Sequence, residues 1–148
     1  MSHRIHFSVD FGDCDPAGIV FYPNFYRWFD RGTHALAKSV GLSMAQLKAE
    51  RGWICWPLVD TGAKFISPAS PGDELSLETD ISEWGRKTFK LTHTVRQGER
   101  LVCEGFEVRI IAVPREDDLS RLRTLELPDW MAEQFSVRPE ARKSLTLE

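Results

Sequence analysis

The sequence predicts a domain of the α+β class, in which a curved antiparallel sheet packs on one long helix. Apolar or small residues recur at 3.6-residue spacing over residues 23–40, which is typical of a helix with one buried face. Later stretches alternate apolar and polar residues and are separated by short turns, and strands with such connections pair antiparallel. The sheet needs an apolar partner for its buried face, and the helix is the only large one.

The first elements are a strand and the long helix. Apolar residues alternate with polar ones over residues 4–11, as in a half-buried strand. The helix is predicted over residues 23–40, because Pro23 suits a first turn, where a missing N–H is harmless, and Gly41 suits a left-handed stop. Gly32 inside the helix costs about 1 kcal/mol relative to alanine. Its presence therefore predicts that a sheet packs closely at that point.

The remaining chain consists mainly of predicted strands. A short amphipathic helix is predicted first, over residues 43–50, and it ends at Gly52. The next strand, over residues 53–67, should be bent or bulged because Pro57 and Gly62 interrupt its pattern. Further strands are predicted over residues 75–81, 89–95, 101–113 and 121–127, followed by a helical turn or two over 128–135.

Composition limits the organisation and location of the protein. A chain of 148 residues that is 42% hydrophobic can bury one sizeable core, so we expect a single domain over residues 1–137 and a polar, flexible tail over 138–148. The net charge of -3 argues against a general nucleic-acid binder, and no apolar run approaches the roughly 18 residues of a membrane span. Three cysteines without metal-ligand spacing and an N-terminus without an apolar secretion signal predict a reduced, cytoplasmic protein with no metal site.

The loop just before the long helix holds the candidate chemistry. Its carboxylates, Asp13 and Asp15, precede a Pro-Ala-Gly turn and a short apolar run. The first turn of a helix has N–H groups without partners and carries the positive end of the helix dipole. A carboxylate beside such N–H groups can support chemistry on a carbonyl.

Residues 12–30 read GDCDPAGIVFYPNFYRWFD, and together with the strand-rich second half they strongly resemble the hot-dog-fold thioesterases. The resemblance is strongest to the 4-hydroxybenzoyl-CoA thioesterase family and extends to about Leu127. It implies a hot-dog fold, in which the curved sheet wraps around the long helix, and hydrolysis of an acyl-CoA thioester. The implied acyl group is aromatic and 4-hydroxybenzoyl-like. Coenzyme A enters as part of the substrate, so no separate cofactor is expected.

The resemblance also implies roles for individual residues. Asp15 matches the catalytic carboxylate of the family, and the backbone N–H of Tyr22 matches the donor that polarises the thioester carbonyl. The run EWGRK matches a turn that contacts the phosphates of coenzyme A, through Trp84, Arg86 and Lys87. A close relative carries a further basic residue where this sequence has glycine, which removes at most one charge from the phosphate clamp.

Assembly is expected from the same resemblance and from the sheet itself. One long helix leaves part of the predicted sheet with an open edge, and proteins tend to cover or pair such edges. Hot-dog proteins resemble one another in pairing two sheets edge to edge, commonly within tetramers whose active sites lie between subunits. We therefore expect a homo-oligomer, a dimer or tetramer, that binds an acyl-CoA and neither nucleic acid nor membrane.

The residues themselves agree with thioester hydrolysis. A thiolate leaves readily, so the reaction needs a nucleophile or general base and donors for the developing oxyanion. An aspartate is ionised at neutral pH and can attack the carbonyl directly or activate water, and the sequence leaves both routes open. Helix N–H groups require no side chain, which accounts for the lack of a recognisable Ser-His-Asp set.

Each candidate residue also has a structural interpretation. Aspartates before a helix are commonly turn residues, and we expect Asp13 to bond loop N–H groups. Cys14 is a poor nucleophile because its flanking carboxylates raise its pKa. Trp53 and Trp56 belong either to the core or to the wall of an aromatic acyl pocket, and we expect Phe21 and Tyr22 to contribute to such a pocket as well.

Four further polar residues are expected to have ordinary roles. His34 and His93 have no partner at useful sequence spacing, so we expect them to be surface or core histidines. Asp30 and Arg31 fall on the solvated or dimer-facing side of the predicted helix.

Other classes of protein fit less well. A calcium loop counted from Asp13 has Asn24 at its twelfth position, where a bidentate glutamate is needed. A D-x-D phosphatase is contradicted by Ala17 and by the antiparallel strand pattern. A hot-dog hydratase would require a catalytic His and Asp pair, which is not evident in this sequence. A non-catalytic acyl-CoA-binding hot-dog protein remains the alternative, since fold does not fix function. Asp15 beside an intact helix start favours the enzyme.

Overall fold

A computed structural model describes residues 2–136, and the predicted tail over residues 138–148 lies outside this range. Within it, the elements follow the predicted order. The helices are α1 (Pro23–Ser39), α2 (Met44–Arg51) and α3 (Asp129–Ser136). The strands are β1 (Ser2–Ser8), β2 (Ile54–Phe65), β3 (Glu74–Trp84), β4 (Thr88–Gln97), β5 (Arg100–Pro114) and β6 (Leu122–Thr124), and a 3-10 turn, Phe11–Asp13, follows β1.

The strands form one antiparallel sheet in the order β1-β3-β4-β5-β2, with β6 paired to the end of β5. The α+β class predicted from the sequence is therefore confirmed. The central strands β3, β4 and β5 follow one another along the chain and pair through short turns. Within the described part of the chain, β1 and β2 form the two outer edges of the sheet, which is therefore open.

Helix α1 lies across one face of this sheet. Its buried face is a single stripe at helical spacing. The large apolar members of the stripe are Phe25, Trp28, Phe29 and Leu36. Pro23 occupies the first turn as predicted, and Ser39 ends the helix one residue before the predicted end.

Two strand boundaries differ from the prediction. β1 ends at Ser8, because the Asp13 carboxylate accepts the Asp10 N–H at 2.9 Å and stabilises a 3-10 turn where the strand was expected to continue. Phe11 lies in this turn and is 87% exposed, although the alternating pattern predicted an inward side chain. β6 covers only Leu122–Thr124 of the predicted residues 121–127.

Strand β2 carries the bulge that its sequence predicts. Its register against β5 shifts twice between Cys55 and Asp60. Trp56 lies in this bulge with a φ of 57°, and its buried ring packs edge-on against Phe89. The bulge therefore decides which side chains of β2 point into the core.

The core between α1 and the sheet consists of two apolar clusters separated by a polar layer. The first cluster lies under the N-terminal half of α1, and the second lies under its C-terminal half together with α2 and α3. The central strands contribute apolar residues to both clusters. Between them, the same strands place buried polar side chains: Thr79, His93, Glu107 and Arg109.

Glu107 on β5 is at the centre of this polar layer. Its carboxylate accepts hydrogen bonds from the Thr33 hydroxyl of α1 and from His93 Nε2 of β4, the latter at 2.8 Å. The Arg109 guanidinium donates to the second carboxylate oxygen. Thr79 Oγ1 of β3 lies 2.8 Å from the other ring nitrogen of His93. His93 is therefore a core histidine, as expected, whose partners come from neighbouring strands. For His34 the expectation of no partner at useful spacing is wrong, since its Nε2 lies 3.4 Å from Asp30 Oδ1 one helical turn earlier.

The same layer reaches the surface of α1 through Asp30. Asp30 lies on the exposed side of α1, consistent with the solvated or dimer-facing position expected of it, and its half-exposed carboxylate also accepts a hydrogen bond from Arg109 at 2.8 Å. A hydrogen bond from His34, together with the charge of Arg109, lowers the pKa of Asp30 to about 2 against the opposing effect of burial. Burial also acts to raise the pKa of Glu107, but His93 and Arg109 hold it below its ordinary value.

Gly32 lies where α1 crosses β3. A Cβ atom at this position would lie 2.8 Å from Leu77 Cδ2 and closer still to Thr79 Oγ1. The close approach of the sheet that this glycine predicts is confirmed, and the nearest atoms belong to side chains. Close approach at this point brings the Thr33 hydroxyl within reach of Glu107.

Replacing Gly32 by alanine should destabilise the protein. Helix propensity favours alanine by about 1 kcal/mol, but overpacking against a filled core costs about 1–3 kcal/mol. We expect the clash to dominate and the free energy of unfolding in urea to fall by about 1–2 kcal/mol. Gly12→Ala is the control, because no atom lies within 4 Å of a Cβ built there. Equal stability of Gly32→Ala and the parent would contradict the packing described.

Candidate active site

A cavity of about 680 Å³ opens where the loop before α1 meets the end of β2. Its lining is mostly apolar, and Asp15 is its one ionisable carboxylate. The backbone of the two walls is joined directly, since the Val20 N–H donates to the Ala69 carbonyl at 2.9 Å. The lining residues are Asp15, Ile19, Val20, Tyr22, Phe25, Phe65, Ile66, Ser67, Pro68 and Ala69.

The Asp15 side chain is fixed by a tight turn. The backbone N–H of Asp15 donates to the Ile19 carbonyl, and the backbone carbonyl of Asp15 accepts the Gly18 N–H, both at 2.9 Å. Gly18 has a φ of 77°, a left-handed conformation that favours glycine. The Ala17 N–H donates to Asp15 Oδ1 at 2.8 Å. Among residues 2–136 no group hydrogen-bonds to Oδ2, so this oxygen is left for a molecule in the cavity.

The backbone N–H of Tyr22 is a free donor at the start of α1. Pro23 has no N–H, and the N–H groups of Asn24 and Phe25 already donate to the carbonyls of Phe21 and Tyr22, at 3.0 and 3.1 Å. The Tyr22 N–H has no acceptor within the described part of the chain. It lies at the positive end of the α1 dipole. Tyr22 itself lines the cavity, and its ring packs against that of Phe65.

Asp13 and Cys14 have structural positions. The Asp13 carboxylate bonds the Asp10 N–H, as expected of a loop residue, and its carbonyl accepts from the Phe21 N–H at 2.9 Å and from Asn24 Nδ2 at 2.8 Å. These bonds tie the loop to the first turn of α1. Burial, followed by the negative charge of Asp13 and of its neighbouring carboxylates, raises the pKa of the Cys14 thiol. The predicted direction for Cys14 is confirmed, and the thiol is a poor nucleophile.

The aromatic wall of the cavity differs from the one expected. Phe65, at the end of β2, packs against Tyr22 and Phe25 with ring centroids 6.0 and 5.6 Å away. Trp53 and Trp56 are buried in the second apolar cluster and do not line this cavity. Of their two interpretations, the core one is therefore confirmed, and for Trp56 the bulge in β2 turns the side chain inward. Tyr22 lines the cavity as expected, whereas Phe21 does not.

The turn that carries Trp84, Arg86 and Lys87 lies at the opposite end of β3 from the cavity. Trp84 stacks on Phe89 with centroids 5.6 Å apart, and Arg86 forms an exposed ion pair with Glu126 at 2.6 Å. The eleven residues of β3 span about 33 Å. One chain therefore brings Asp15 and Tyr22 together but does not bring these three residues to the same cavity.

The described residues hold no obvious metal or membrane feature. Within residues 2–136, no group of three or more His, Cys, Asp and Glu side chains is placed to hold a metal ion. No helix in the same range is long and apolar enough to cross a membrane.

Comparison with known proteins agrees with this geometry. The family model of the thioesterase-like superfamily matches residues 9–135. The chain is 40% identical over 126 residues to the 4-hydroxybenzoyl-CoA thioesterase of Pseudomonas sp. strain CBS-3, and the match covers 81% of this chain and 87% of that protein.

Solved structures show the same fold. A crystal structure of 4-hydroxybenzoyl-CoA thioesterase, in which one aspartate is replaced by asparagine and 4-hydroxybenzoyl-CoA is bound, superposes with a TM-score of 0.82 at 38% identity and covers 90% of this chain and 97% of its own. A gentisyl-coenzyme A thioesterase superposes with a TM-score of 0.76 at 29% identity and covers 91% of this chain and 100% of its own. The chain therefore belongs to the thioesterase-like superfamily and is a thioester hydrolase with the hot-dog fold.

Proposed function

We propose that this enzyme hydrolyses an aromatic acyl-CoA thioester, similar to 4-hydroxybenzoyl-CoA, in the cavity beside Asp15. The observation that supports the proposal is that one apolar cavity is lined both by Asp15, which has a carboxylate oxygen free of hydrogen bonds among the described residues, and by Tyr22, whose N–H has no acceptor among them. Relatives that resemble the chain are named for 4-hydroxybenzoyl-CoA and gentisyl-CoA, both of which are aromatic thioesters. Tyr22, Phe25 and Phe65 give the cavity an aromatic wall suited to a flat ring.

Polarisation of the thioester is the first step. We assign the Tyr22 N–H as the donor to the carbonyl oxygen, which becomes an oxyanion when the carbonyl carbon is attacked. The α1 dipole adds positive potential at the same point, and the apolar lining strengthens both effects by excluding water. No side chain is required for this step, so a set of Ser, His and Asp is unnecessary.

Asp15 supplies the attack in one of two ways. As a nucleophile, Oδ2 bonds to the carbonyl carbon, the C–S bond breaks, coenzyme A leaves as a thiolate, and water hydrolyses the resulting mixed anhydride. As a general base, the carboxylate takes a proton from water, whose oxygen bonds to the carbonyl carbon; the C–S bond then breaks and coenzyme A leaves as a thiolate, which can take the proton back from Asp15. The bond from the Ala17 N–H to Oδ1 holds the carboxylate in place for either route. Both routes use residues of this chain and require no metal or cofactor.

The nucleotide end of coenzyme A requires a second copy of the chain. Within one chain, Arg86 and Lys87 follow the far end of β3, a strand about 33 Å long whose other end is the one nearer the cavity. The edge strand β2 exposes large apolar residues: Ile54, Leu58, Val59 and Phe65. We propose that two chains pair along this edge, that such dimers associate into a cytoplasmic homotetramer, and that a neighbouring chain supplies Arg86, Lys87 and Trp84 to the phosphates.

The substrate assignment is tested by turnover of a panel of acyl-CoAs. The protein should release thiol from 4-hydroxybenzoyl-CoA and benzoyl-CoA with a higher kcat/KM than from hexanoyl-CoA or palmitoyl-CoA, because the aromatic wall favours a planar acyl group. Thiol release is followed with a chromogenic disulfide. A ranking with palmitoyl-CoA first would contradict the aromatic assignment, and no turnover of any thioester would contradict the proposed reaction.

The assignment of Asp15 is tested by Asp15→Asn. The amide keeps the shape of the side chain but is neither nucleophile nor base, so kcat should fall by about 10²-fold or more with the fold intact. Asp13→Asn is the matched control, since an amide oxygen still accepts the Asp10 N–H, and it should keep kcat within a few-fold of the parent. If Asp13→Asn abolished activity and Asp15→Asn did not, the catalytic carboxylate would be misassigned.

The phosphate assignment is tested by the double variant Arg86→Ala with Lys87→Ala. Loss of two positive charges should raise KM for benzoyl-CoA far more than it lowers kcat, and should weaken the dependence of KM on salt. The benzoyl thioester of N-acetylcysteamine lacks the nucleotide and should be hydrolysed as by the parent. The double variant Arg121→Ala with Arg123→Ala removes two exposed charges elsewhere and is the control. Equal losses on both substrates, or a monomer in sedimentation, would contradict the assignment.

A further inference from the structure

One wall of the cavity is a short segment that leaves the sheet at the end of β2. This acyl wall consists of residues 65–69, all of which line the cavity. Its first part is held by β5, since the N–H groups of Ile66 and Ser67 donate to the Val102 carbonyl at 2.9 and 3.1 Å. Its last residue, Ala69, accepts the Val20 N–H from the loop that carries Asp15. The acyl wall thus faces the candidate catalytic group across the cavity.

Arg100 crosslinks this wall to the hairpin between β4 and β5. Its Nη1 donates to Ser67 Oγ and to the Pro68 carbonyl, both at 2.7 Å. Its Nη2 donates to Gln97 Oε1 at the end of β4 and lies 3.7 Å from Asp73 Oδ2. The guanidinium therefore joins the middle of the acyl wall to the hairpin and to the turn that follows the wall.

The geometry of this crosslink suits a positioning role. A guanidinium presents its N–H groups in a fixed plane, so several simultaneous bonds orient the acceptors as well as hold them. Pro68 has no N–H and cannot join a strand ladder, so its carbonyl bond to Arg100 is what anchors that residue. The next turn is fixed in part by Asp73 Oδ2, which accepts the Ser70 N–H at 2.9 Å and also lies near Arg100.

We propose that Arg100 is a positioning residue that sets the width of the acyl cavity and thereby the size of the acyl group that the enzyme accepts. The inference rests on the proposed function, since it requires the acyl group to occupy the cavity beside Asp15. Arg100 acts through Ser67 and Pro68 and does not touch the substrate. Without it, Ser67 remains bonded to β5 through its N–H and through its hydroxyl, which donates to the Leu101 carbonyl at 2.6 Å, and Ala69 remains bonded to Val20. Pro68, between them, loses the bond to its carbonyl and is free to move outward.

The test compares a small and a large aromatic substrate. In Arg100→Met, which keeps the length of the side chain without its donors, kcat/KM for benzoyl-CoA should fall about tenfold, mainly through KM, because the acyl group is held less well. The value for the larger 2-naphthoyl-CoA should fall less than about threefold, since a wider cavity accommodates it better. The substrate ratio, which is kcat/KM for benzoyl-CoA divided by kcat/KM for 2-naphthoyl-CoA, should therefore fall. A loss of the same size on both substrates would contradict the inference.

Two further variants separate positioning from a general loss of stability. Arg100→Lys keeps the charge and part of the length of the side chain, so its substrate ratio should lie between those of the parent and Arg100→Met. If Arg100→Met does not fold, the substrate ratio of Arg100→Lys alone tests the positioning role. Arg96→Met removes an exposed arginine from the same hairpin and should leave the ratio unchanged. If the parent turns over both substrates and the substrate ratio is unchanged in Arg100→Lys and Arg100→Met, the role of Arg100 is contradicted but the proposed function is not. No turnover by the parent would contradict the proposed function as well.

Discussion

The carboxylate of Glu107 is buried between α1 and the sheet, and a buried charge is tolerated only where several donors satisfy it. Those donors come from the helix through Thr33, from β4 through His93 and from β5 through Arg109. Apolar packing alone would let a helix slide or rotate at modest cost. The polar layer removes that freedom, since any shift of α1 would leave part of the carboxylate without a donor. The helix start at Pro23, ten residues from Thr33 and about 15 Å away, is thereby fixed relative to the end of β2.

Much of the candidate chemistry belongs to the backbone of that fixed helix start. The Tyr22 N–H is free because the first N–H groups of a helix have no acceptor within the helix, and no carbonyl among the described residues takes its place. Asp15 is held nearby by a five-residue turn closed at Ile19. The opposite wall is less regular, since it leaves the sheet at Phe65 and its Pro68 carbonyl is anchored by the side chain of Arg100. The site therefore combines a rigid side, where the reaction is placed, with a side whose position depends on few bonds.

Sequence reasoning succeeded where the determinants are local. The stripe of α1, the start at Pro23, the close approach at Gly32 and the bend at Pro57 all follow from neighbouring residues. It failed where distant residues decide. His93 and Glu107 are fourteen positions apart and meet only through the pairing of β4 with β5. The sequence left Trp56 between the core and the cavity, because that choice depends on the bulge in β2, which sends its side chain inward. Arg100 was missed because its acceptors in the acyl wall lie more than thirty residues away along the chain.

The most direct test of the account is the vibrational frequency of the bound thioester carbonyl. Benzoyl-CoA labelled with ¹³C at the carbonyl, bound to the slow variant Asp15→Asn, gives a band that isotope-edited infrared difference spectroscopy resolves from the protein. If the Tyr22 N–H and the α1 dipole polarise the carbonyl, the band should lie at lower wavenumber than that of the same thioester in water. A band at the higher wavenumber typical of an apolar solvent would show a carbonyl without a donor and would contradict the central claim.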